Sequence, residues 1–504
     1  MFQVPSLSDL NAAAALPVII LSLGACVFLI VDLFVPRDRK QITAWLTAAG
    51  LGVSLVLALL SLADVVTFGN GDEVFFGSYV ADEFTDMVNV IVLVTALLGV
   101  MVAYNYLDRT NMQRGEYYYL LLFTVVGVMF MGGAGDLIVI FVALELLSIP
   151  LYILTGFRRP QEQSEESAMK YFLLGAFSSA FLVYGIALIY GATGTSNLRG
   201  IWEAVDTVVT GDTSAQFLLL SGAALALVGL GFKIAAVPFH MWTPDVYQGA
   251  PTSVVAYMSV AAKVGGFAAL LRVLVAGLPN FALDNGTSAA WMDVTWLLAA
   301  ATMIVGNLIA IVQSDLKRLL AYSSIAHAGY ILIGVAAAGV PRVADEATQS
   351  VLIYLMAYAF TNVGAFSVII AVERDDATNT GLSSMRGLAR TQPLLAAAMA
   401  VFMLSLTGIP LTAGFVGKWF VFKAAIAADL LPVAVIGVIT SVISAYYYLR
   451  IVWMMYFEDG EGEAATPRAL AWAIGIAAIG TLVFGFLPYL LSDMAREITL
   501  AFGG

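Results

Sequence analysis

Long apolar runs separated by short polar stretches fill the chain from residue 13 to residue 491. A helix needs about 20 mostly apolar residues to cross a bilayer, and the runs have roughly that length. None shows the period-two alternation of a transmembrane β-strand. The pattern therefore predicts an all-α integral membrane protein with about fourteen transmembrane helices. The predicted spans are residues 13–35, 42–63, 87–107, 117–133, 136–157, 170–191, 215–241, 251–276, 293–313, 318–339, 348–372, 391–428, 432–455 and 468–491.

Three of these spans are irregular. The fourth is short, and the glycine-rich segment 132–135 leads almost directly into the fifth. The twelfth, at 391–428, is too long for one straight helix and contains Gly408 and Pro410. The seventh contains Pro238. Because proline lacks an N–H group and clashes with the preceding turn, we expect the seventh and twelfth helices to be kinked or broken.

Composition supports a membrane protein. The 504 residues are 61% hydrophobic and 12% charged, whereas soluble domains are about 45–50% apolar and about 25% charged. The N-terminal region lacks the basic segment and cleavage site of a signal peptide, so we expect the first apolar run to be retained as a helix.

Cysteine and histidine usage limits the possible cofactors. Cys26 is the single cysteine, which excludes an internal disulfide and a cysteine-ligated metal or iron–sulfur cluster. The two histidines, His240 and His327, are far apart in sequence, so neither a haem nor a zinc site is expected. The net charge of −12 reflects mainly the loops, and no nucleic-acid partner is expected.

Positive charge is concentrated on one side of the predicted bundle. Loops after odd-numbered spans, with the adjoining helix ends, hold Arg37, Arg39, Lys40, Arg109, Arg114, Arg158, Arg159, Lys170, Lys317, Arg318, Arg374, Arg386, Arg390, Arg450 and Arg468. The opposite side holds only Arg199, Arg272, Arg342 and Arg496. Because cytoplasmic loops are enriched in lysine and arginine, the asymmetry predicts that the first side is cytoplasmic. Both termini are then extracytoplasmic.

Four charged residues lie near the middle of predicted spans: Glu145, Lys233, Lys263 and Lys418. A charge at the bilayer centre costs about 2.5–3.5 kcal/mol even on the lenient insertion scale, and such residues usually mark an ion or proton pathway. We therefore predict that these four residues bind and transfer protons. The alternative is that the buried charges only lock neighbouring helices together.

Three further residues are candidates for proton transfer. His327 lies ten residues beyond Lys317, near mid-depth, where it can relay protons or simply pack. His240 follows the first helix break and is a candidate entry group. Lys170 begins the sixth helix and on its own is typical of an anchor at the membrane surface. Lys423 is expected to reach the outer surface rather than join the pathway.

The seventh and twelfth helices, which contain the predicted breaks, suggest an internal repeat. In spans 4–8 and in spans 9–13 the broken helix is the fourth, and because five is odd the two units cross the membrane in opposite senses. Interrupted helices at corresponding places in inverted repeats point to a transport site. The predicted divisions are three N-terminal helices at 1–115, a first repeat at 116–278, a second at 290–457 and a C-terminal helix at 458–504.

Three long motifs resemble a known family. The segments VPFHMWTPDVYQGAPTSVVAYMSVAAK, SDLKRLLAYSSIAHAGY and GIPLTAGFVGKWFVFKAA are similar to signature stretches of the antiporter-like membrane subunits of respiratory complex I, the proton-pumping NADH:quinone oxidoreductase. The chain is most similar to the N type. The M type usually has PFHTWLPDAH after the first break and a glutamate in place of Lys418, and the L type adds a long lateral helix.

The resemblance implies roles for the buried residues. Glu145 matches the fifth-helix carboxylate and Lys233 its partner, while Lys263 matches the central lysine and Lys418 the terminal one. The resemblance also implies that protons pass through Lys263 and His327 toward Lys418. Lys170 matches a residue on the lateral path, which favours a relay role over the anchor role.

The resemblance also implies a division of labour within a complex. Other subunits hold the FMN, iron–sulfur clusters and quinone site, and this chain binds no cofactor. M-type and K-type subunits are its expected neighbours, in a bacterial plasma membrane. The alternative function is a subunit of a multisubunit cation/proton antiporter, which shares the fold and the buried lysines.

Overall fold

A computed structural model describes residues 10–36, 39–66, 68–69, 72–211, 213–279, 289–373, 380–460 and 462–500. The helices are α1 (Leu16–Asp32), α2 (Gln41–Leu62), α3 (Glu83–Arg109), α4 (Gly115–Gly132), α5 (Leu137–Thr155), α6 (Glu162–Thr193), α7 (Leu198–Thr210), α8 (Thr213–Ile234), α9 (Trp242–Gly249), α10 (Thr252–Leu271), α11 (Ala290–Ile311), α12 (Leu316–Ala337), α13 (Ala344–Val372), α14 (Leu388–Thr391), α15 (Pro393–Thr407), α16 (Ala413–Ala427), α17 (Leu431–Phe457), α18 (Arg468–Phe486) and α19 (Tyr489–Ala495). A hairpin pairs β1 (Glu73–Val74) with β2 (Tyr79–Val80).

The predicted all-α membrane fold is confirmed. In the described part of the chain, thirteen helices are long and apolar enough to cross a membrane. The predicted twelfth span is instead divided into α15 and α16, fifteen residues each. Each of the fourteen predicted spans therefore corresponds to a helix or to a broken pair. Arg37 and Arg374, which were counted in the charge asymmetry, lie outside the described residues.

Some element boundaries differ from the predictions. The helix of the seventh predicted span, α8, ends at Ile234, well before the predicted residue 241. The helix of the fourteenth span, α18, ends at Phe486, just before Pro488. The hairpin β1–β2 and the helix α7 are additional elements that the apolar runs do not show. Helix α7 buries Leu198, Ile201, Val205 and Val208, which recur every three or four residues and form one face of a short amphipathic helix.

Three helices form the centre of the bundle. The most apolar stretches of α10, α12 and α13 are buried along their whole length, whereas those of α1, α2, α6 and α18 are mostly open to the surroundings. Helix α10 packs against α13, and α12 packs against both. Lys263 on α10 and His327 on α12 therefore lie in the interior of the protein.

Both predicted breaks are present and begin in the same way. After α8, Ala235 has a positive φ of 63°, and the N–H groups of Ala235 and Ala236 bond back to Phe232 and Gly231. After α15, Gly408 has φ 92°, and the N–H groups of Gly408 and Ile409 bond back to Ser405 and Leu404. This is the Schellman arrangement, in which a left-handed residue ends a helix and satisfies its last carbonyls.

Two other features recur in both halves. Asp136 caps the N-terminus of α5 and pairs across an isolated β-bridge with Asn197, after α6. Asp315 caps α12 and pairs in the same way with Gly381, after α13. These local correspondences favour the predicted inverted repeat, while the repeat as a whole and the four domain divisions stay predictions.

Candidate functional site

Lys233 occupies the last turn of α8, immediately before the break. Its side chain is 2% exposed, and its ammonium donates to the hydroxyls of Ser148 at 2.8 Å and Tyr171 at 3.2 Å. The ammonium also lies 5.4 Å from the centre of the Tyr171 ring. The ring of Tyr171 in turn stacks on Trp242 of α9 at 4.5 Å, so the break and the lysine share one aromatic support.

Glu145 lies beside this lysine on α5. The carboxylate accepts a hydrogen bond from Ser179 of α6 and is close enough to Lys233 for a Coulombic interaction. No ion pair within 4 Å joins the two residues in the described structure. A cavity of about 10 Å³ lies beside Lys233 and is lined by Ser148 and Ser179 among others. That volume is close to the least that holds one water molecule.

Lys263 lies at the centre of the chain, on fully buried α10. Its side chain is 2% exposed. Gly266, three residues further along α10, faces the end of α8, where an added Cβ would lie 2.6 Å from Ile234 and 3.5 Å from the Cβ of Lys233. The absence of a side chain at Gly266 therefore brings the helix of Lys263 against the end of the helix that carries Lys233.

His327 is held between two tyrosines. Nδ1 lies 2.7 Å from the hydroxyl of Tyr354, and Nε2 lies 3.1 Å from the hydroxyl of Tyr448. The imidazole is within Coulombic range of both Lys263 and Lys418. His327 therefore interacts electrostatically with the central and the terminal lysine while both of its ring nitrogens bond to tyrosines.

Lys418 follows the second break, on α16. Its ammonium donates to the carbonyls of Leu406 at 3.0 Å and Thr407 at 2.8 Å, and to the hydroxyl of Ser441 at 2.7 Å. The Tyr330 ring centre lies 4.7 Å from the same ammonium. The two carbonyls belong to the last turn of α15. The negative end of that helix therefore stabilises the lysine charge.

Lys170 and His240 lie at the predicted cytoplasmic side, around the first break. Lys170 contacts Glu166 at 2.6 Å and Asp245 of α9 at 2.9 Å. Arg318 at the start of α12 holds the same aspartate at 2.8 Å. Burial raises the pKa of Asp245, but hydrogen bonds from both cations outweigh this effect and lower the pKa overall. His240 is half-buried and comes just before α9, the helix that carries Asp245.

The sequence interpretation missed several of these partners. Asp245 has a visible signal, because it follows the broken helix directly in the segment MWTPDVY. Tyr171, Tyr330, Tyr354 and Tyr448 have no such signal, since they are scattered over four apolar helices. In the described ranges, no group of three or more His, Cys, Asp or Glu side chains could hold a metal ion.

Taken in order, five polar residues form a row: half-buried Glu145, then the buried residues Lys233, Lys263, His327 and Lys418. Glu145 interacts electrostatically with Lys233, and His327 with both Lys263 and Lys418. The helices of Lys233 and Lys263 pack closely at Gly266. Such a row can store protons and pass them sideways. Whether these residues do so stays a prediction.

Comparison with known proteins places the chain among respiratory membrane subunits. Residues 134–444 match the family described as "NADH:quinone oxidoreductase/Mrp antiporter, TM". The NADH-quinone oxidoreductase subunit N 2 of Roseiflexus castenholzii is 45% identical over 480 residues, covering 94% of each chain.

Solved structures show the same relation. A chain of respiratory complex I from Thermus thermophilus is 35% identical with a TM-score of 0.78, covering 97% of this chain and all of that one. A chain of the Mrp complex from Dietzia is 23% identical with a TM-score of 0.78 over 97% of this chain, which shows a shared fold alone. The chain belongs to the subunit N family of the NADH-quinone oxidoreductases.

Proposed function

We propose that this chain is a proton-translocating membrane-arm subunit of an NADH:quinone oxidoreductase and carries no redox centre itself. The single observation that supports this role most strongly is the buried row from Glu145 to Lys418, which has no evident purpose in a purely structural bundle. Other subunits of the complex supply the FMN, the iron–sulfur clusters and the quinone site. This subunit converts an electrostatic signal from the quinone region into proton transfer.

The first pair is the receiver of that signal. A carboxylate near an ammonium stabilises its charged form, and the stabilisation changes with their separation. Glu145 is bonded to Ser179 rather than clamped to Lys233, so a small movement of the carboxylate changes the proton affinity of the lysine. One pKa unit corresponds to about 1.36 kcal/mol. The proton then moves through Lys263 and His327 to Lys418.

On the predicted cytoplasmic side, Lys170, Asp245 and Arg318 form a charged group next to the first break. Its ion pairs join α9, which follows the first break and His240, to α6 and α12. Lys170 and His240 therefore act at the entry of protons from the cytoplasm. The chain lies in a bacterial plasma membrane with both termini outside, between K-type and M-type neighbours.

Lys263→Ala in the assembled complex tests this proposal. We expect loss of proton pumping per NADH oxidised, measured in inside-out membrane vesicles, with the complex still assembled on native gels. Lys423→Ala is the matched control, because that lysine is 58% exposed on the same bundle and pairs only with Glu346 at 3.5 Å. Poor assembly with normal pumping in the surviving complex would support the scaffold alternative instead. Copurification without NADH dehydrogenase subunits would favour the antiporter alternative.

A further inference from the structure

Unpartnered polar atoms are concentrated at one helix interface. In the described structure, nine buried side-chain atoms have no hydrogen-bond partner. Three of them lie where α10 meets α13: Thr252 Oγ1, Asn362 Oδ1 and Glu373 Oε2. The Thr252 hydroxyl lies close enough to the Glu373 carboxyl to stabilise its charged form, but it makes no well-formed hydrogen bond to it. Because buried polar groups are nearly always bonded, three at one interface call for an explanation. None of these residues belongs to the row described above.

These residues lead from the predicted cytoplasmic end of the interface to Lys263. Glu373 directly follows α13 and Thr252 begins α10, so both lie at that end. Deeper in the bundle, Asn362 of α13 donates to Ser259 of α10 at 2.6 Å. At about 1.5 Å per residue, Ser259 lies about 10 Å beyond Thr252, and Lys263 lies about 6 Å further. Polar side chains therefore mark a line from the predicted cytoplasmic end of the interface to Lys263.

Glu373 is surrounded by cations that do not clamp it. The carboxyl is 3% exposed and accepts a hydrogen bond from the hydroxyl of Tyr106 at 3.3 Å. Lys317 donates to the carbonyl of Ala250 at 2.7 Å, and Arg109 donates to that of Ile370 at 2.9 Å. Of the ion pairs within 4 Å in the described ranges, none includes Glu373.

Burial and the neighbouring cations shift the pKa of Glu373 in opposite directions. Burial raises the pKa of the carboxyl above its ordinary value, while nearby Lys317, Arg109 and Arg158 act to lower it. A carboxyl in this setting can gain and lose a proton at a modest cost. By contrast, a carboxylate in a tight ion pair would remain charged.

We propose that Glu373 loads protons from the cytoplasm for Lys263, along the α10–α13 interface. The carboxylate accepts a proton at the aqueous end and releases it past Asn362 and Ser259 to the neutral amine of Lys263, which restores the carboxylate. This second intake is separate from the one at His240. It rests on the proposed proton-translocating function.

The test compares four variants in the assembled complex by protons pumped per NADH oxidised. Glu373→Gln keeps the shape but cannot ionise, and Asn362→Leu interrupts the interface; both are expected to lose the share of pumped protons that passes through Lys263. Glu373→Asp is expected to restore part of it. Thr348→Val is the matched control, because that buried hydroxyl also lacks a partner but lies near the opposite end of α13.

Two results would overturn the intake route. One is a wild-type ratio in Glu373→Gln while Lys263→Ala loses pumping, which leaves the proposed function intact. The other is poor assembly of Glu373→Gln and Asn362→Leu with an unchanged ratio in the complex that remains. If Glu373→Gln does not assemble at all, a wild-type proton-to-NADH ratio in Asn362→Leu overturns the intake route, and a lowered ratio in both Asn362→Leu and Glu373→Asp supports it. Normal pumping in Lys263→Ala as well would instead reject the proposed function.

Discussion

The two broken helices end alike but satisfy their freed carbonyls differently. After α8, the carbonyl of Phe232 accepts from the indole of Trp242 at 3.0 Å, and Lys233 bonds only to hydroxyl groups. After α15, Lys418 itself bonds to the freed carbonyls of Leu406 and Thr407. Lys233 therefore makes no hydrogen bond to the carbonyls of its break, whereas Lys418 bonds to those of its break directly.

This difference separates a responsive site from a fixed one. In the function we propose, the charge of Lys233 responds to the position of the Glu145 carboxylate, whereas backbone carbonyls hold the ammonium of Lys418 in place. A signal that displaces Glu145 therefore acts on Lys233 directly. It reaches Lys418 only through the residues between them.

The largest expected difference concerns assembly. Lys418→Ala removes the side-chain donor to the carbonyl of Leu406 and one of the two donors to that of Thr407, which Ser441 also bonds. Leaving a buried polar group unsatisfied costs about 1–3 kcal/mol. We expect several-fold less assembled complex for Lys418→Ala than for Lys233→Ala, although both lose pumping. Quantification of the subunit in intact complex on native gels measures this, with Lys423→Ala as control. Equal assembly of the two variants would show that Lys418 does not stabilise the second break more than Lys233 stabilises the first.

The next effect concerns the movable carboxylate. Glu145→Gln keeps a side chain that can bond to Ser179 but removes the negative charge near Lys233. We expect about a tenfold lower pumping rate, the equivalent of about 1.36 kcal/mol. The rate of vesicle acidification at matched NADH oxidation measures it. Wild-type acidification would show that Lys233 does not depend on this charge.

A smaller effect concerns Gly408 and Ala235, the residues with positive φ that end α15 and α8. Gly408→Ala introduces a Cβ only 2.9 Å from Cδ of Lys418, at φ 92°. A non-glycine residue there costs about 1–2 kcal/mol. Ala235→Gly relieves the corresponding strain at φ 63°. The temperature at which the subunit dissociates from the complex should fall for Gly408→Ala and stay level or rise for Ala235→Gly. A fall in both would contradict the strain account.

The smallest effect concerns Trp242. Trp242→Phe keeps an aromatic ring against Tyr171 but leaves the carbonyl of Phe232 without its indole donor. We expect about 1 kcal/mol less stability with the proton-to-NADH ratio unchanged, measured by the same dissociation temperature. A changed ratio would mean that Trp242 contributes to proton transfer as well as to the break.

The sequence predicts those features that depend on short stretches of chain. Apolar run length reveals the spans, Pro238 and Gly408 mark the breaks, and the lysines stand out because charge is rare at mid-depth. Contacts over long separations are not predictable in this way. Lys170 alone is typical of a surface anchor, and only the fold brings it to Asp245, which is 75 residues away. The carbonyl partners of Lys418 likewise depend on the path of the chain through the second break.

The measurement that tests the central claim most directly is the number of protons pumped per NADH oxidised by a complex carrying Lys233→Ala. The variant leaves the first break and its Trp242 bond in place, so assembly should be retained. Our account predicts a lower ratio than in the wild-type complex. A wild-type ratio in the intact variant complex would contradict it.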